Sequence, residues 1–121
     1  MQYWIKDPER LFHMALAEGA SAERALQAAL AVLAERPDLW RWDWIVEALV
    51  VPDDATVEQI ARLAKAYPAP DAGEALTMLV SNDPNLHLWA RVMDFQFPRR
   101  RHRVVRTLAL AIARIDEARG R

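Results

Sequence analysis

The sequence predicts an all-α fold: a single-domain, compact helical bundle of about seven helices, with stacked antiparallel hairpins as one arrangement. Three observations predict it. Apolar residues recur at intervals of three and four along most of the chain, which is the spacing of one helix face. Capping residues and prolines separate these stretches. The 121 residues include three glycines and no Gly- or Ser-rich stretch, so we expect no flexible linker and one domain.

The first two predicted helices are bounded by clear start and stop residues. Asp7 and Pro8 suit a first helical turn, because Asp accepts a hydrogen bond from a free N–H and Pro needs no donor there. Gly19 ends this helix. Ser21 begins the second helix, whose apolar residues keep a helical spacing until Pro37 prevents continuation.

The third predicted helix, residues 38–50, is the main structural ambiguity. Its tryptophans at positions 40, 42 and 44 alternate as they would on one face of a strand. We favour a helix because no second stretch alternates convincingly, and an isolated strand would leave its backbone groups unpaired. Such a helix is apolar around most of its girth, so it would be buried at the centre of the bundle. In the alternative, Trp40 and Trp44 form an exposed protein-binding patch.

Four more helices complete the predicted bundle, at residues 56–67, 71–80, 83 to about 97, and about 98–119. Thr56 and Gln59 are spaced as a capping box for the first of these. The last is a basic amphipathic helix that begins at Pro98. The connections are short, so consecutive helices should pack roughly antiparallel.

Positive charge is concentrated near the end of the sequence. Residues 98–121 contain eight Arg and two acids, a net charge of +6, whereas residues 1–97 contain eight Lys or Arg and fifteen acids, a net charge of −7. The domain is therefore predicted to be an acidic body followed by the basic helix. The cations cluster at the predicted N-terminus of that helix, where the helix dipole is also positive, so a compensating anion is expected. They are Arg99, Arg100, Arg101, Arg103 and Arg106.

The arginine cluster predicts a binding function. We expect a non-enzymatic protein-interaction module or accessory subunit whose basic helix binds an acidic surface on a protein partner or a second copy of the chain. The alternative is a nucleic-acid-associated accessory protein in which the same arginines contact phosphates. The balanced overall charge and the lack of a recognisable nucleic-acid-binding module count against that alternative. Ion pairing with acids of the same chain would leave the arginines without a partner.

No residue pattern predicts catalysis, a metal site or a cofactor. A Gly-rich phosphate loop, a nucleophile elbow and a His pair one turn apart are all missing, so no small-molecule substrate is evident. The longest apolar run, residues 28–34, is far shorter than the about 20 residues of a membrane span. No export signal is recognised and cysteine is absent, so we expect a cytoplasmic protein. Abundant Ala and Arg with few Lys suggest a GC-rich, bacterial genome.

Overall fold

A five-stranded β-sheet lies at the centre of the protein, so the predicted all-α bundle of seven helices is wrong. The computed structural model describes residues 1–120, and over this range strands and helices form a mixed α/β fold. The strands are β1 (Gln2–Lys6), β2 (Leu11–Leu16), β3 (Asp43–Ala48), β4 (Ala75–Val80) and β5 (Arg100–Val105). The helices are α1 (Ala22–Glu35), α2 (Val57–Ala66), α3 (Leu86–Gln96) and α4 (Leu108–Ala118), with a 3₁₀ turn at Pro37–Arg41.

The strands lie in the sheet in the order of the sequence, from β1 to β5. β1 runs antiparallel to β2, with Trp4 opposite His13. β2 to β5 are parallel, and a helix connects each of them to the next: α1, α2 and then α3. Because these crossovers share one direction across the sheet, the usual handedness of such connections places their helices on one face. α4 follows β5 and packs on the opposite face.

The face under α1, α2 and α3 holds the larger part of the core. Side chains of alternate strand residues, including Phe12 and Trp44, contact these helices. Aromatic rings run through this layer. The ring centroids of Trp40 and Trp44 lie 5.7 Å apart, those of Trp40 and Tyr67 also 5.7 Å, and those of Tyr67 and Phe97 5.4 Å. Large rings in mutual contact fill this layer and bury much apolar area.

Within the described residues, α4 is the helix that covers the opposite face. Ala111 and Ile115 are buried against residues of β3 and β4. The end of this helix is held by Arg119, whose Nε donates to Oδ2 of Asp43 at 2.8 Å. Its Nη2 donates to the carbonyl oxygen of Arg10 at 2.9 Å, so this one side chain ties α4 to the sheet and to the turn between β1 and β2.

Three of the predicted helices are confirmed, because their signals are local. Ser21 caps α1 by accepting a hydrogen bond from the backbone N–H of Arg24. Thr56 and Gln59 form both hydrogen bonds of the predicted capping box at the start of α2. α3 lies inside the sixth predicted helix.

The other four predicted helices contain strands, and the reason is largely shared. Parallel strands that are buried on both faces are almost continuously apolar, so they lack the alternation that identifies a strand. β2, with the sequence LFHMAL, and β4, with ALTMLV, are of this kind. The predicted helix at 38–50 is the 3₁₀ turn followed by β3. The predicted basic helix at 98–119 divides into β5 and α4.

Candidate functional site

The predicted arginine cluster lies on a strand at the edge of the sheet, and not at a helix N-terminus. β5 pairs with β4 on one side and ends the sheet on the other. Its side chains alternate in burial: Arg100 and His102 are buried, whereas Arg101 and Arg103 are exposed. The argument from the helix dipole therefore does not apply to these residues. The part of the predicted cluster that remains is a row of exposed cations.

Arg100 is a structural residue that no partner can reach. It is 1 % exposed, and its guanidinium carbon lies 4.1 Å from the ring centroid of Trp44. Burial lowers the pKa of Arg100 to about 10, so the side chain is still charged at neutral pH. Its two Nη atoms donate four hydrogen bonds of 2.7–3.2 Å to oxygen atoms of Trp40, Trp42, Leu76 and Thr77. This arginine is removed from the predicted binding set.

The other four arginines of the cluster are exposed and form a surface that we call the basic edge: Arg99, Arg101, Arg103 and Arg106. Arg101 lies 4.0 Å from Glu74, and Arg103 lies 3.7 Å from Asp94. Long, exposed ion pairs of this kind add little stability. Among residues 1–120, Arg99 and Arg106 have no carboxylate within 4.0 Å. Residues 1–120 therefore neutralise the basic edge only in part.

The outer face of α3 places apolar side chains beside the basic edge. Phe95 is 89 % exposed and Leu88 is 66 % exposed. They lie two turns apart on one stripe of the helix, with exposed Arg91 between them. α3 is fixed against β5 because Oδ1 of Asp94 accepts a hydrogen bond of 2.6 Å from the backbone N–H of His102. The apolar stripe and the arginines thus lie on two elements that pack together at the edge of the sheet.

A second surface combines apolar side chains with the opposite charge. It consists of residues 49–58, which follow β3 and begin α2, and we call it the acidic–apolar loop. Its exposed apolar side chains are Leu49, Val50 and Val57, each more than half exposed. Asp53 and Glu58 are exposed beside them. The two surfaces are therefore similar in apolar character and opposite in charge.

His102 and Asp94 form a pair of a buried imidazole and a carboxylate. Nδ1 of His102 lies 3.0 Å from Oδ1 of Asp94. Burial lowers the pKa of His102 to about 4, although Asp94 acts in the opposite direction. At neutral pH the imidazole is therefore neutral, Nδ1–H donates to the carboxylate, and Nε2 carries a lone pair. No hydrogen-bond partner of Nε2 is found in residues 1–120.

A largely apolar cavity of about 210 Å³ lies between the sheet and the helices α1, α2 and α3. Leu16 and Ala48, at the ends of β2 and β3, are among its lining residues. Carboxyl ends of parallel strands are the usual place for ligands in open α/β sheets. The polar residues of the lining are Thr56, Gln59, Thr77 and His102.

Trp40 and Trp44, the second predicted site, are part of the core. They are 6 % and 4 % exposed, and Nε1 of Trp44 donates a 2.7 Å hydrogen bond to the carbonyl oxygen of Leu39. The structure agrees with the interpretation that these tryptophans are buried. Trp40 lies in the 3₁₀ turn and Trp44 in β3, however, and not in a central helix. They form no exposed patch for a partner.

The described part of the chain holds no group of three or more His, Asp or Glu side chains that could bind a metal ion. A second histidine pair lies on the α4 face of the sheet, where Nε2 of His13 is 2.7 Å from Oε2 of Glu47. The ring of Trp4 packs on His13 with 4.8 Å between ring centroids. None of the helices within residues 1–120 combines the length and the apolar character needed to cross a membrane.

Sequence reasoning identified the exposed arginines but missed Phe95, the cavity and the pair of His102 with Asp94. Asp94 and His102 lie on a helix and on a strand, so their spacing matches no motif. The strand itself had no sequence signal, because inward Arg100 and outward Arg101 are the same residue type and the alternation exists only in their burial. Comparison with known proteins gives no further guidance, because no family model, curated protein or solved structure matches this chain.

Proposed function

We propose that this protein is a protein-interaction module whose basic edge and α3 outer face bind an acidic protein surface that also carries apolar side chains. The observation that carries the proposal is Phe95, which is 89 % exposed on the helix that packs against the arginine-bearing strand β5. Its neighbour Asp94 lies 3.7 Å from Arg103. Aromatic residues and Arg are enriched in protein interfaces. Full burial of a Phe side chain contributes about 1.5–3 kcal/mol, and the surrounding charges select the partner and its orientation.

The partner to which we commit is a second copy of this chain. Its acidic–apolar loop offers Val57 and Leu49 for contact with Phe95, and Asp53 and Glu58 for contact with the basic edge. The two surfaces lie on different parts of the fold, so the contact is head-to-tail. Such a contact leaves one free surface at each end, and further copies add until a ring closes.

Nucleic acid is a weaker match to the same surface. The carboxylates of Glu74 and Asp94 interrupt the basic edge, and the whole chain has a net charge of −1. Single strands are usually held by several aromatic rings that stack on successive bases. Here Phe95 is the one aromatic residue on the outer face of α3. A nucleic-acid ligand is therefore an outcome of the test and not the proposal.

The first experiment is to measure the mass of the purified protein over a range of concentrations by sedimentation and light scattering, at low and at high salt. We expect self-association that weakens with salt, because exposed charges are screened. Arg99→Glu/Arg103→Glu and, separately, Phe95→Ala should each weaken it by about tenfold or more. The double variant Lys65→Glu/Arg114→Glu changes the same amount of charge at exposed positions outside both surfaces, and should associate like the wild type.

A charge exchange makes the test specific for the two surfaces. Asp53→Lys/Glu58→Lys should be monomeric alone, because both of its surfaces are then basic. Mixed with Arg99→Glu/Arg103→Glu, whose surfaces are both acidic, it should form complexes again. A wild type that stays monomeric at all concentrations, or variants that do not combine, would refute the proposal. Salt-sensitive binding of single-stranded RNA by a monomer would favour the nucleic-acid alternative.

A further inference from the structure

The cavity between the sheet and α1, α2 and α3 is lined by one imidazole with an unpartnered nitrogen. We propose that this cavity is a binding site for a small, neutral, mostly apolar molecule with one hydrogen-bond donor, which His102 orients through Nε2. The site is separate from the basic edge, and it shares Val51, Pro52, Ala55 and Thr56 of its lining with the acidic–apolar loop. It is a partly open pocket between the helices and the sheet, and its ligand is a different chemical class from a protein.

Three other polar side chains of the cavity already make hydrogen bonds within the protein. Thr56 and Gln59 bond to each other's backbone N–H groups in the capping box of α2. Oγ1 of Thr77 accepts a 3.0 Å hydrogen bond from Nη1 of Arg100. His102 is different, because Asp94 occupies Nδ1 and the backbone N–H but leaves Nε2 without a partner in residues 1–120. Within residues 1–120 the fully buried side-chain atom without a partner is Nε of Arg100, so Nε2 of His102 keeps some accessible surface and can accept a hydrogen bond from a molecule outside the fold.

The chemistry of the lining restricts what that group can be. Asp94 fixes the tautomer of His102 with the proton on Nδ1, so Nε2 can only accept. The ligand group that bonds to Nε2 must therefore donate, as a hydroxyl or N–H group does, whereas a carboxylate or ketone oxygen at that atom would face a lone pair. No Asp, Glu, Lys or Arg is among the lining residues. An ionised ligand would lose its hydration without gaining a counter-ion, so a neutral one is favoured.

The volume sets the size of the ligand. A dry, apolar cavity of about 150 Å³ in another protein holds benzene. In the same proportion, 210 Å³ has room for about eight non-hydrogen atoms. Para-cresol and para-xylene both have this size and nearly the same shape. They differ because cresol has a hydroxyl donor where xylene has a methyl group, so the pair isolates the contribution of Nε2.

The test measures the affinity of both probes for the folded protein by calorimetry and by NMR titration. The wild type should bind both, and His102→Leu should lower the cresol-to-xylene ratio of affinities about fivefold, as expected for one hydrogen bond. Ala29→Leu and, independently, Ala48→Leu place extra atoms in the cavity and should weaken both probes together. Circular dichroism and the unfolding midpoint establish that each variant is folded.

A second readout needs no variant. The ¹⁵N resonance of Nε2 of His102 in the wild-type protein should shift when para-cresol binds, and much less when para-xylene binds. Failure of either probe to bind at its solubility limit would overturn the proposal. Binding with an unchanged affinity ratio in His102→Leu, together with an unmoved Nε2 resonance, would also overturn it, because the imidazole would then not orient the ligand.

Discussion

Replacement of Arg100 by Lys tests whether a fork of donors holds the layers of this protein together. The guanidinium reaches from the edge strand β5 across β4 to the 3₁₀ turn. Its Nη2 donates to the carbonyl oxygens of Trp40 at 2.8 Å and Trp42 at 2.7 Å, and Nη1 donates to Leu76 and Thr77. Lys keeps the charge but concentrates its donors on one atom, so it cannot serve both ends of the fork.

The expected loss follows from the number of acceptors left without a donor. An ammonium group can satisfy one pair of acceptors, which leaves at least two buried oxygens unpaired. Each costs about 1–3 kcal/mol, so we expect a loss of about 3 kcal/mol. The contact of the guanidinium with Trp44 is also lost, which adds up to about 1 kcal/mol. A domain of this length is stable by roughly 6–18 kcal/mol, so the variant should fold but be clearly weakened.

Urea unfolding followed by tryptophan fluorescence measures this loss. With a slope of about 1.5 kcal/mol per molar urea, Arg100→Lys should lower the midpoint by about 2 M. The matched control is Arg101→Lys, the next residue of the same strand, whose side chain is exposed and which should change stability by less than about 0.5 kcal/mol. If the two variants unfold at the same urea concentration, the reasoning about the fork of donors is refuted.

Two further predictions concern buried polar groups. Burial lowers the pKa of His102 to about 4; the charges of Arg100 and Arg103 lower it further, and Asp94 partly opposes them. Below about pH 6.5 the unfolded chain therefore binds a proton at this residue that the folded chain does not bind. The free energy of unfolding should therefore fall by about 3 kcal/mol between pH 6.5 and pH 4. Urea unfolding at several pH values should show a smaller loss in His102→Leu. The exposed control His87→Leu should lose as much as the wild type. Arg119→Ala should lower the free energy of unfolding by about 2–3 kcal/mol and speed amide exchange in α4, because it breaks the contact with Asp43. Arg114→Ala changes an exposed residue of the same helix and should have little effect. Equal effects of the two variants would contradict the role of the contact with Asp43.

The parts of the fold that the sequence predicts are those with local signals. Ser21 and the box of Thr56 and Gln59 act on backbone groups within one turn, so α1 and α2 could be placed without knowledge of the rest. The strands depend on partners that are distant in sequence. The tryptophans around Trp42 alternate like a strand, but its partners β2 and β4 are almost continuously apolar and show no alternation that would identify them.

The candidate site was predicted only in its exposed cations. Arg99, Arg101, Arg103 and Arg106 are exposed in the structure, but Arg100 points into the core, which a count of charges does not reveal. A strand puts neighbouring residues on opposite faces, so a basic run on a strand divides into two sets with different roles. The cavity is assembled from three helices and several strands. Its existence depends on packing between elements, which no local pattern encodes.

The sequential strand order has a consequence for the way the chain is made. Each new strand pairs with the strand made just before it, so during synthesis the sheet can extend one βα unit at a time with short-range contacts. The α4 face is different, because its cover is translated after all five strands. Until then Ile45 and Met78 lie on an open apolar surface, and a ribosome that pauses before α4 would present that surface to chaperones or to other nascent chains.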